Sequence, residues 1–406
     1  MVHLSEVLGL PVFDAEGTRA GRLDDLQVDA VLNRVDRVFV KQGKGPVAFP
    51  WAAIDTFSPE HRRVVLAERA EPLATNGDND AIHLKRDVLD RQIIDIRGRK
   101  VVRVNDIMLE TVGDDLLLRR VEVGLAGAVR RLLAGLLSPR LVRRVAAGLP
   151  EQGIWWDYVG LIEPRSSRIR LKVHQQLARL HPADLADIIE ELGRVDRSAI
   201  VSQMDPEIAA EALAEAEPSV QAAVVEGMRT QEAADVLEEM QPDEAADVLG
   251  DLTDERSHEL LEAMEHEGAK GVRELLTFGE DTAGGLMTTD FFKASARWSV
   301  GETLARLRDA DADLVSEMDE FPVVEDDDRL VGVAPLVRLV RANPEENIIA
   351  VIRAEGRPVT PTAPFTEVLE RFEKYHLRAV SVTDEFGVLV GVIGIEDVLR
   401  RLADSA

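Results

Sequence analysis

The sequence has 406 residues, no cysteine and a formal charge of −27, with 45% hydrophobic but only 4% aromatic residues. These figures exclude disulfides, thiolate metal sites and cysteine nucleophiles. A field of this sign also repels nucleic acid and attracts cations, and no nucleic-acid partner is expected. The length allows roughly two to four domains with aliphatic cores. The N-terminus, MVHLSEVLGLPVFDAEG, lacks the basic start and apolar run of a signal peptide. The longest nearly apolar stretch, Val121 to Leu137, is split by Arg130 and Arg131, so no membrane span is expected. A cytoplasmic location follows, with peripheral attachment to the inner face of the membrane as the alternative.

In chain order, the first signal is a repeat. Ser5 to Asp29 matches Arg86 to Glu110 at an offset of 81 residues, pairing Asp14 with Asp95, Gly17 with Gly98, Arg22 with Arg103 and Asp25 with Asp106. Gly17 and Gly98 sit where a hairpin turn calls for positive φ. Pro11 to Phe13, Leu23 to Val28, Val35 to Val40, Val47 to Trp51 and Val64 to Ala67 read as strands. Each copy is predicted to be a small β-barrel, with the polar segment Leu73 to Asp80 as linker. The pattern L-G-x-P-V-x-D-x-x-G-x-x-x-G-x-L-x-D from Leu8 to Asp25, followed by Pro50-Trp51, resembles the PRC-barrel family. The resemblance covers residues 1–72 and, more faintly, a second barrel at 83–170, where Trp155-Trp156 takes the place of Pro50-Trp51. It implies docking modules without chemistry of their own, and most residues in them serve turns and core.

The second copy carries an insertion, 123–150, with five arginines (130, 131, 140, 143 and 144) and no acidic residue. Leu132, Leu133, Leu136 and Leu137 share a helical face, and Pro139 divides the segment into two short amphipathic helices. Such a hairpin suits an anionic membrane surface or a membrane partner. It equally suits the acidic segment that follows.

From His181 the chain falls into blocks of twelve, each ending on an apolar residue: Leu192, Met204, Ala216, Met228, Met240, Leu252, Met264 and Leu276. Pro182, Pro206, Pro218 and Pro242 occupy the second place of their blocks, where a helix tolerates proline. Each block is predicted to be one short helix plus a turn, stable only when stacked into a superhelix. Residues 181–264 hold 23 Asp plus Glu against 4 Arg and no Lys, a charge of −19. The seventh place repeats Asp187, Glu211, Asp235, Asp247 and Glu259, which predicts a stacked row of carboxylates. Oxygen-only ligation suits a hard cation, Mg²⁺, Mn²⁺ or Ca²⁺. A charge run of this kind is more often a solvated helix face.

His181-Pro182-Ala183-Asp184-Leu185-Ala186-Asp187, the acidic repeats, and then Glu280-Asp281-Thr282-Ala283-Gly284-Gly285-Leu286-Met287-Thr288 resemble the cytosolic part of the MgtE magnesium transporters. The resemblance runs from 171 to 404 and implies a helical superhelix at 171–284 and a CBS pair at 285–404. Residues 377–402 and 320–341 each show the strand–turn–strand–helix order of a CBS motif. The fold class expected is therefore multidomain α+β: two PRC-like barrels, a superhelix of twelve-residue repeats and an α/β CBS pair. The family binds Mg²⁺ between its helical and CBS parts, and low Mg²⁺ loosens that contact. Carried over by position, the metal ligands fall on Glu211, Asp243 and Asp247, and on the CBS side on Asp397 with Glu396 beside it. His376, Pro364 and Arg400 depart from acidic family positions. Gly394 and Ala334 stand where nucleotide-binding CBS motifs carry a hydroxyl, although Asp397 could hold a ribose.

The family continues into membrane helices, whereas this sequence stops at Ala406. The expectation is a cytosolic Mg²⁺-sensing regulator, homodimeric through its CBS pair, that controls or scaffolds a membrane metal transporter without a pore of its own. The alternatives are an adenine-nucleotide sensor and, since a PRC-type barrel occurs in RimM-like proteins, a ribosome- or RNA-associated factor. No GxxxxGK[ST], HExxH or GxSxG motif supports an enzyme.

Overall fold

Alternating apolar residues after Pro11 build the expected barrel. The computed structural model describes all residues except 30–31, 44, 74–80, 134–140, 143–144, 146–148, 150–151, 163–172, 174, 311–314, 316–317, 354–356 and 405–406. A short strand β1 (Val2–His3) and one helical turn α1 (Leu4–Val7) precede β2 (Pro11–Phe13), β3 (Arg19–Asp29), β4 (Val35–Gln42), β5 (Gly45–Pro50), β6 (Ile54–Ser58) and β7 (Arg63–Leu66). The sheet order is β5-β4-β3-β2-β7-β6, with Val12, Leu26, Val28, Val38 and Val64 fully buried. The second copy comprises β8 (Ala81–His83), a π turn (Leu84–Val88), β9 (Gln92–Asp95), β10 (Lys100–Arg103), β11 (Asp106–Val112), β12 (Asp115–Glu122), α2 (Leu125–Leu133), β13 (Gly153–Trp155) and β14 (Val159–Leu161). Trp51 and Trp156 each open a 3₁₀ turn after the preceding strand, so Trp155-Trp156 does stand where Pro50-Trp51 stands. Of the expected linker Leu73 to Asp80, residues 74–80 lie outside the described residues.

The two copies exchange their first strands. β1 pairs with β11 of the second copy, Val2 opposite Leu109, and β8 pairs with β3 of the first, Ile82 opposite Val28. The two repeat aspartates anchor the exchange. Asp106, fully buried, accepts from Ser5 N–H at 3.1 Å, Ser5 Oγ at 2.5 Å and Ile107 N–H at 2.8 Å. Asp25 accepts from Lys85 N–H at 2.8 Å and Leu26 N–H at 2.7 Å. His3 Nδ1 lies 3.9 Å from Asp106, and His83 Nδ1 lies 3.6 Å from Asp25. The turns differ by one residue: Leu8 N–H donates to the Leu4 carbonyl, four back, whereas Leu89 N–H donates to Leu84, five back. The extra residue is absorbed as a π turn, which keeps Leu84 and Val88 as buried as Leu4 and Val7.

The glycine expectation holds in one copy only. Gly17 has φ +84°, but in the second copy the left-handed residue is Arg99, at φ 50°. Gly98 serves close approach instead: its N–H donates to Asp95 Oδ1 at 2.9 Å, and a Cβ there would lie 2.3 Å from Asp95 Oδ2. In the basic insertion, Arg130 forms a buried ion pair with Glu122, and Arg131 pairs with Asp90. These two arginines thus neutralise their own barrel, not the acidic helices that follow. Much of the second predicted helix, including Arg140, Arg143 and Arg144, lies outside the described residues.

The twelve-residue blocks fold as read. Helices α3 (Pro182–Glu191), α4 (Arg194–Val201), α5 (Pro206–Ala214), α6 (Pro218–Gly227), α7 (Thr230–Glu239), α8 (Pro242–Gly250), α9 (Asp254–Ala263) and α10 (His266–Leu275) each open twelve residues after the last. The chain divides into two compact units, Met1–Glu217 and Pro218–Ala406. In the first, α3 packs on α5 and on β10, where Arg99 meets Asp184 at 2.9 Å and Glu191 accepts from Val101 N–H at 2.6 Å. In the second, α8 packs on α6 and α10, and α9 on α7. Alternate helices therefore stack, which corrects the single row of carboxylates. Asp235 and Glu259 belong to one layer of the second unit and Asp247 to the other. Glu259 is held by Thr230 Oγ1 at 2.6 Å and Arg256 at 2.9 Å, so its charge is already balanced.

Beyond α10 come a short helix α11 (Ala283–Leu286) and two β-α-β-β-α motifs. The first contains β15 (Ala294–Ser295), α12 (Val300–Asp309), β16 (Glu320–Val324), β17 (Leu330–Pro335) and α13 (Leu336–Arg341). The second contains α14 (Phe365–Tyr375), β18 (Ala379–Thr383), β19 (Leu389–Gly394) and α15 (Ile395–Asp404). Its first strand is reduced to a parallel bridge between Val359 and Val382. The hairpin tips join, Leu330 N–H donating to the Gly387 carbonyl and Leu389 N–H to that of Asp328.

Asp106→Ala should destabilise the barrel pair by about 1–3 kcal/mol for each buried donor left unpaired, read by urea unfolding. Deleting Met1–His3 should speed hydrogen exchange in β11, in the other copy. Unchanged protection of residues 106–112 would contradict the strand exchange.

Candidate functional site

Pro242 starts α8 at a position where its missing N–H costs nothing, and this sets Asp243 in the first turn and Asp247 one turn later. Only 6% of Asp243 is exposed. Its Oδ1 is buried without a hydrogen-bond partner, while Thr288 donates a side-chain hydrogen bond to the carboxylate. Burial first, then the nearby charges of Asp397 and Glu244, push this carboxyl well above the ordinary aspartate range. Asp247 stands at a more open position, yet its carboxyl is pushed up to about 6, chiefly by desolvation and then by Glu280. Solvent on its open side keeps the energetic consequence smaller than in a closed site.

Two further elements complete the cluster. The string from Glu280 to Thr288 is bound to the second CBS motif by main-chain hydrogen bonds: Ala283 N–H to the Ala363 carbonyl, Gly284 N–H to that of Pro361, and Thr288 with Val392 in both directions. Met287 is fully buried against Gly391, where a Cβ would come within 2.5 Å of its sulfur. Helix α15 supplies Asp397, whose Oδ2 accepts from Gly394 N–H at 2.9 Å. One turn on, Arg400 Nη1 reaches Glu244 Oε1 at 3.0 Å, and Arg401 Nη2 reaches Asp281 Oδ1 at 2.5 Å.

Of the carboxylates singled out in the sequence, Asp243, Asp247 and Asp397 are brought to this one junction. Glu396 lies exposed on α15, and the acids acting most strongly on Asp243 are Asp397 and Glu244 instead. Glu211 is exposed on α5 and belongs to the first compact unit, the others to the second. Sequence reading missed Glu244, Glu280, Asp281, Thr288 and Arg401, and noted Arg400 only as a departure. The Arg-Arg pair in so acidic a chain was the available signal, but its partners lie 156 and 120 residues away. Among the described residues no three carboxylate or imidazole groups converge closely enough to hold a metal ion as they stand. The donor set nonetheless fits a hard cation: oxygen ligands only, with one buried carboxylate oxygen lacking a partner.

Comparison with known proteins agrees with this organisation. Residues 180–281 match the MgtE intracellular N domain, 283–345 and 357–404 the CBS domain, and 1–71 the PRC-barrel domain. The magnesium transporter MgtE of Thermus thermophilus is 32% identical over 135 residues, covering 33% of this chain and 30% of its own length. That of Bacillus subtilis is 25% identical over 139 residues, 34% of this chain and 31% of its own length. The chain thus spans about a third of the length of these relatives. The solved soluble part of a magnesium transporter superposes with a TM-score of 0.55 at 25% identity, covering 59% of this chain and 94% of that one. The cytosolic domain of the Mg²⁺ channel MgtE in complex with ATP gives 0.53 at 28% identity, covering 57% and 94%. The chain is a multidomain α+β protein that joins a MgtE-type N domain and a CBS pair to an N-terminal PRC barrel. No helix among the described residues is long and apolar enough to cross a membrane.

The raised carboxyls set a pH dependence. A group whose folded pKa exceeds its unfolded value favours folding while protonated, and that stability is lost as pH rises through the folded pKa. Without divalent cation, the second unit should therefore melt lower at pH 7.5 than at pH 5, with the Asp247 contribution lost between about 4 and 6. Asp243→Asn should flatten this profile and raise the melting temperature at pH 7.5 by a few degrees. An unchanged profile would contradict the burial of a charge there.

Proposed function

We propose that this is a Mg²⁺-responsive regulatory protein of the cytoplasm, with no catalytic role, that controls or scaffolds a membrane metal-ion transporter. The observation that carries the reading is the buried, unpartnered Asp243 oxygen at the junction of α8, the 280–288 string and α15, in a chain similar to magnesium-transporter cytosolic regions. Asp243, Asp247 and Asp397 would hold the cation, with Glu396 as an outer acidic group. A divalent ion would supply there the charge that the carboxylates lack and draw α8 and α15 together; Mn²⁺ or Ca²⁺ would satisfy the same oxygen donors. The proposed division of labour has four parts. Barrels at 1–72 and 83–170 dock; in the segment 123–150 of the latter, Arg130 and Arg131 are committed to Glu122 and Asp90 of their own barrel. The superhelix at 171–284 and the CBS pair at 285–404 sense.

A homodimer through the CBS pair is supported by exposed apolar residues at helical spacing, Val337 and Val340 on α13 and Leu399 and Leu402 on α15. Val337→Glu should shift sedimentation from dimer to monomer; a wild-type monomer at all concentrations would remove this part of the reading. The second reading, adenine-nucleotide binding, draws on the ATP-bound relative. Against it, Gly394 offers no hydroxyl and its N–H already engages Asp397. The charge of −27 weighs against a ribosome- or RNA-associated role.

The test is thermal unfolding with and without millimolar Mg²⁺ at constant ionic strength. Binding to the folded state alone stabilises it by about 2.7 kcal/mol at a hundredfold excess over Kd. An upward shift that Asp243→Asn/Asp247→Asn abolishes is expected. A shift that K⁺ reproduces, or that the variant keeps, would reduce the effect to screening of an acidic surface.

A further inference from the structure

The acidic junction contains a cation of its own. Arg400 Nη1 lies 3.0 Å from Glu244 Oε1, and its charge also acts on Asp397 and Asp243. We infer that Arg400 is a tethered competitor for the divalent cation: it pairs with Glu244 and offsets part of the charge of Asp243 and Asp397 when no ion is bound, and the ion binds by displacing it. The inference rests on the Mg²⁺ reading above and specifies how that site is tuned.

Three observations support it. Asp243 is only 6% exposed and its Oδ1 has no partner, so the cluster has an unmet need that Arg400, bonded to Glu244, leaves standing. Among the described residues the carboxylates do not converge into a metal-holding group, and the Arg400 guanidinium is bonded to one of them. A guanidinium and a dication drawn to the same carboxylates repel one another, so the two states compete. Finally, 45% of the Arg400 side chain is exposed, against 13% for Glu244, so the arginine can leave towards water on its flexible stem while the acid stays in place. Arg401 is not equivalent, because it pairs with Asp281, whose side chain is 80% exposed at the edge of the cluster.

The test is calorimetric titration of MgCl₂ into the full chain, at fixed ionic strength, for wild type, Arg400→Gln, Arg400→Met and Arg400→Lys, with circular dichroism to confirm folding. Two neutral variants are used so that one that fails to fold does not end the experiment. Competition predicts that the neutral variants bind Mg²⁺ roughly tenfold tighter, a coupling of ordinary size. Arg400→Lys, which keeps the charge, should stay close to wild type, and the neutral variants should melt lower than wild type in EDTA. If wild type binds Mg²⁺ and the neutral variants bind it no tighter, the competition is overturned and the Mg²⁺ reading stands. If Arg400→Lys binds as tightly as Arg400→Gln, charge is not the competitor and the inference also fails. If none of the four chains binds Mg²⁺, the Mg²⁺ reading itself falls and the competition with it.

Discussion

An aspartate carboxylate enclosed by protein, with one oxygen left without a partner, is the constraint around which the second unit is organised. Asp243 shares its surroundings with Asp397 and Glu244, and Asp247 with Glu280 and Asp251. Several like charges at reduced hydration cannot all remain ionised without compensation. Compensation can come from a proton, from the guanidinium of Arg400 or, under the proposal above, from an external cation. In that proposal all three act on the same carboxylates, and solution conditions set how firmly α8 and α15 are held together. The proposed regulatory role rests on the cost of the cluster being a variable that the surroundings control.

The carboxylates meet because main-chain contacts bring their elements together. The glycine-containing string after α10 is fastened to the second CBS motif through Ala363, Pro361 and Val392, and Met287 seats on the bare backbone at Gly391. Side-chain ion pairs then decorate a junction that the backbone already defines. The same economy appears in the first unit, where β1 and β8 are exchanged between barrel copies and each is secured by a buried aspartate collecting backbone N–H groups. The two barrels therefore share strands, and neither completes its sheet without the other's first strand.

Local patterns were highly legible. The strands of the first barrel and the twelve-residue spacing of eight helices were readable because alternation, terminal apolar residues and prolines at the second block place act within a few residues of one another. Legibility ended where an outcome depended on a partner distant in sequence. Gly98 matched Gly17 in register, but the copies turn differently, with Arg99 taking the left-handed conformation. The acidic seventh positions looked like one row until the stacking of alternate helices separated Asp247 from Asp235 and Glu259. Arg130 and Arg131 looked available for a membrane or for the acidic helices, and turned out to neutralise Glu122 and Asp90 of their own barrel.

The modular order is readable from residue order alone: a repeated barrel, an acidic helical array, and two strand–turn–strand–helix motifs, without a thiol and without an apolar span among the described helices. Such features follow from local periodicity and composition, which any short window reveals. Which charges face one another depends on how the elements pack. The Arg400–Glu244 pair joins residues 156 apart, and the strand exchange makes the barrels mutually dependent. The physical reason is that burial and electrostatic coupling depend on distances through space, which the chain sets only once its elements have packed.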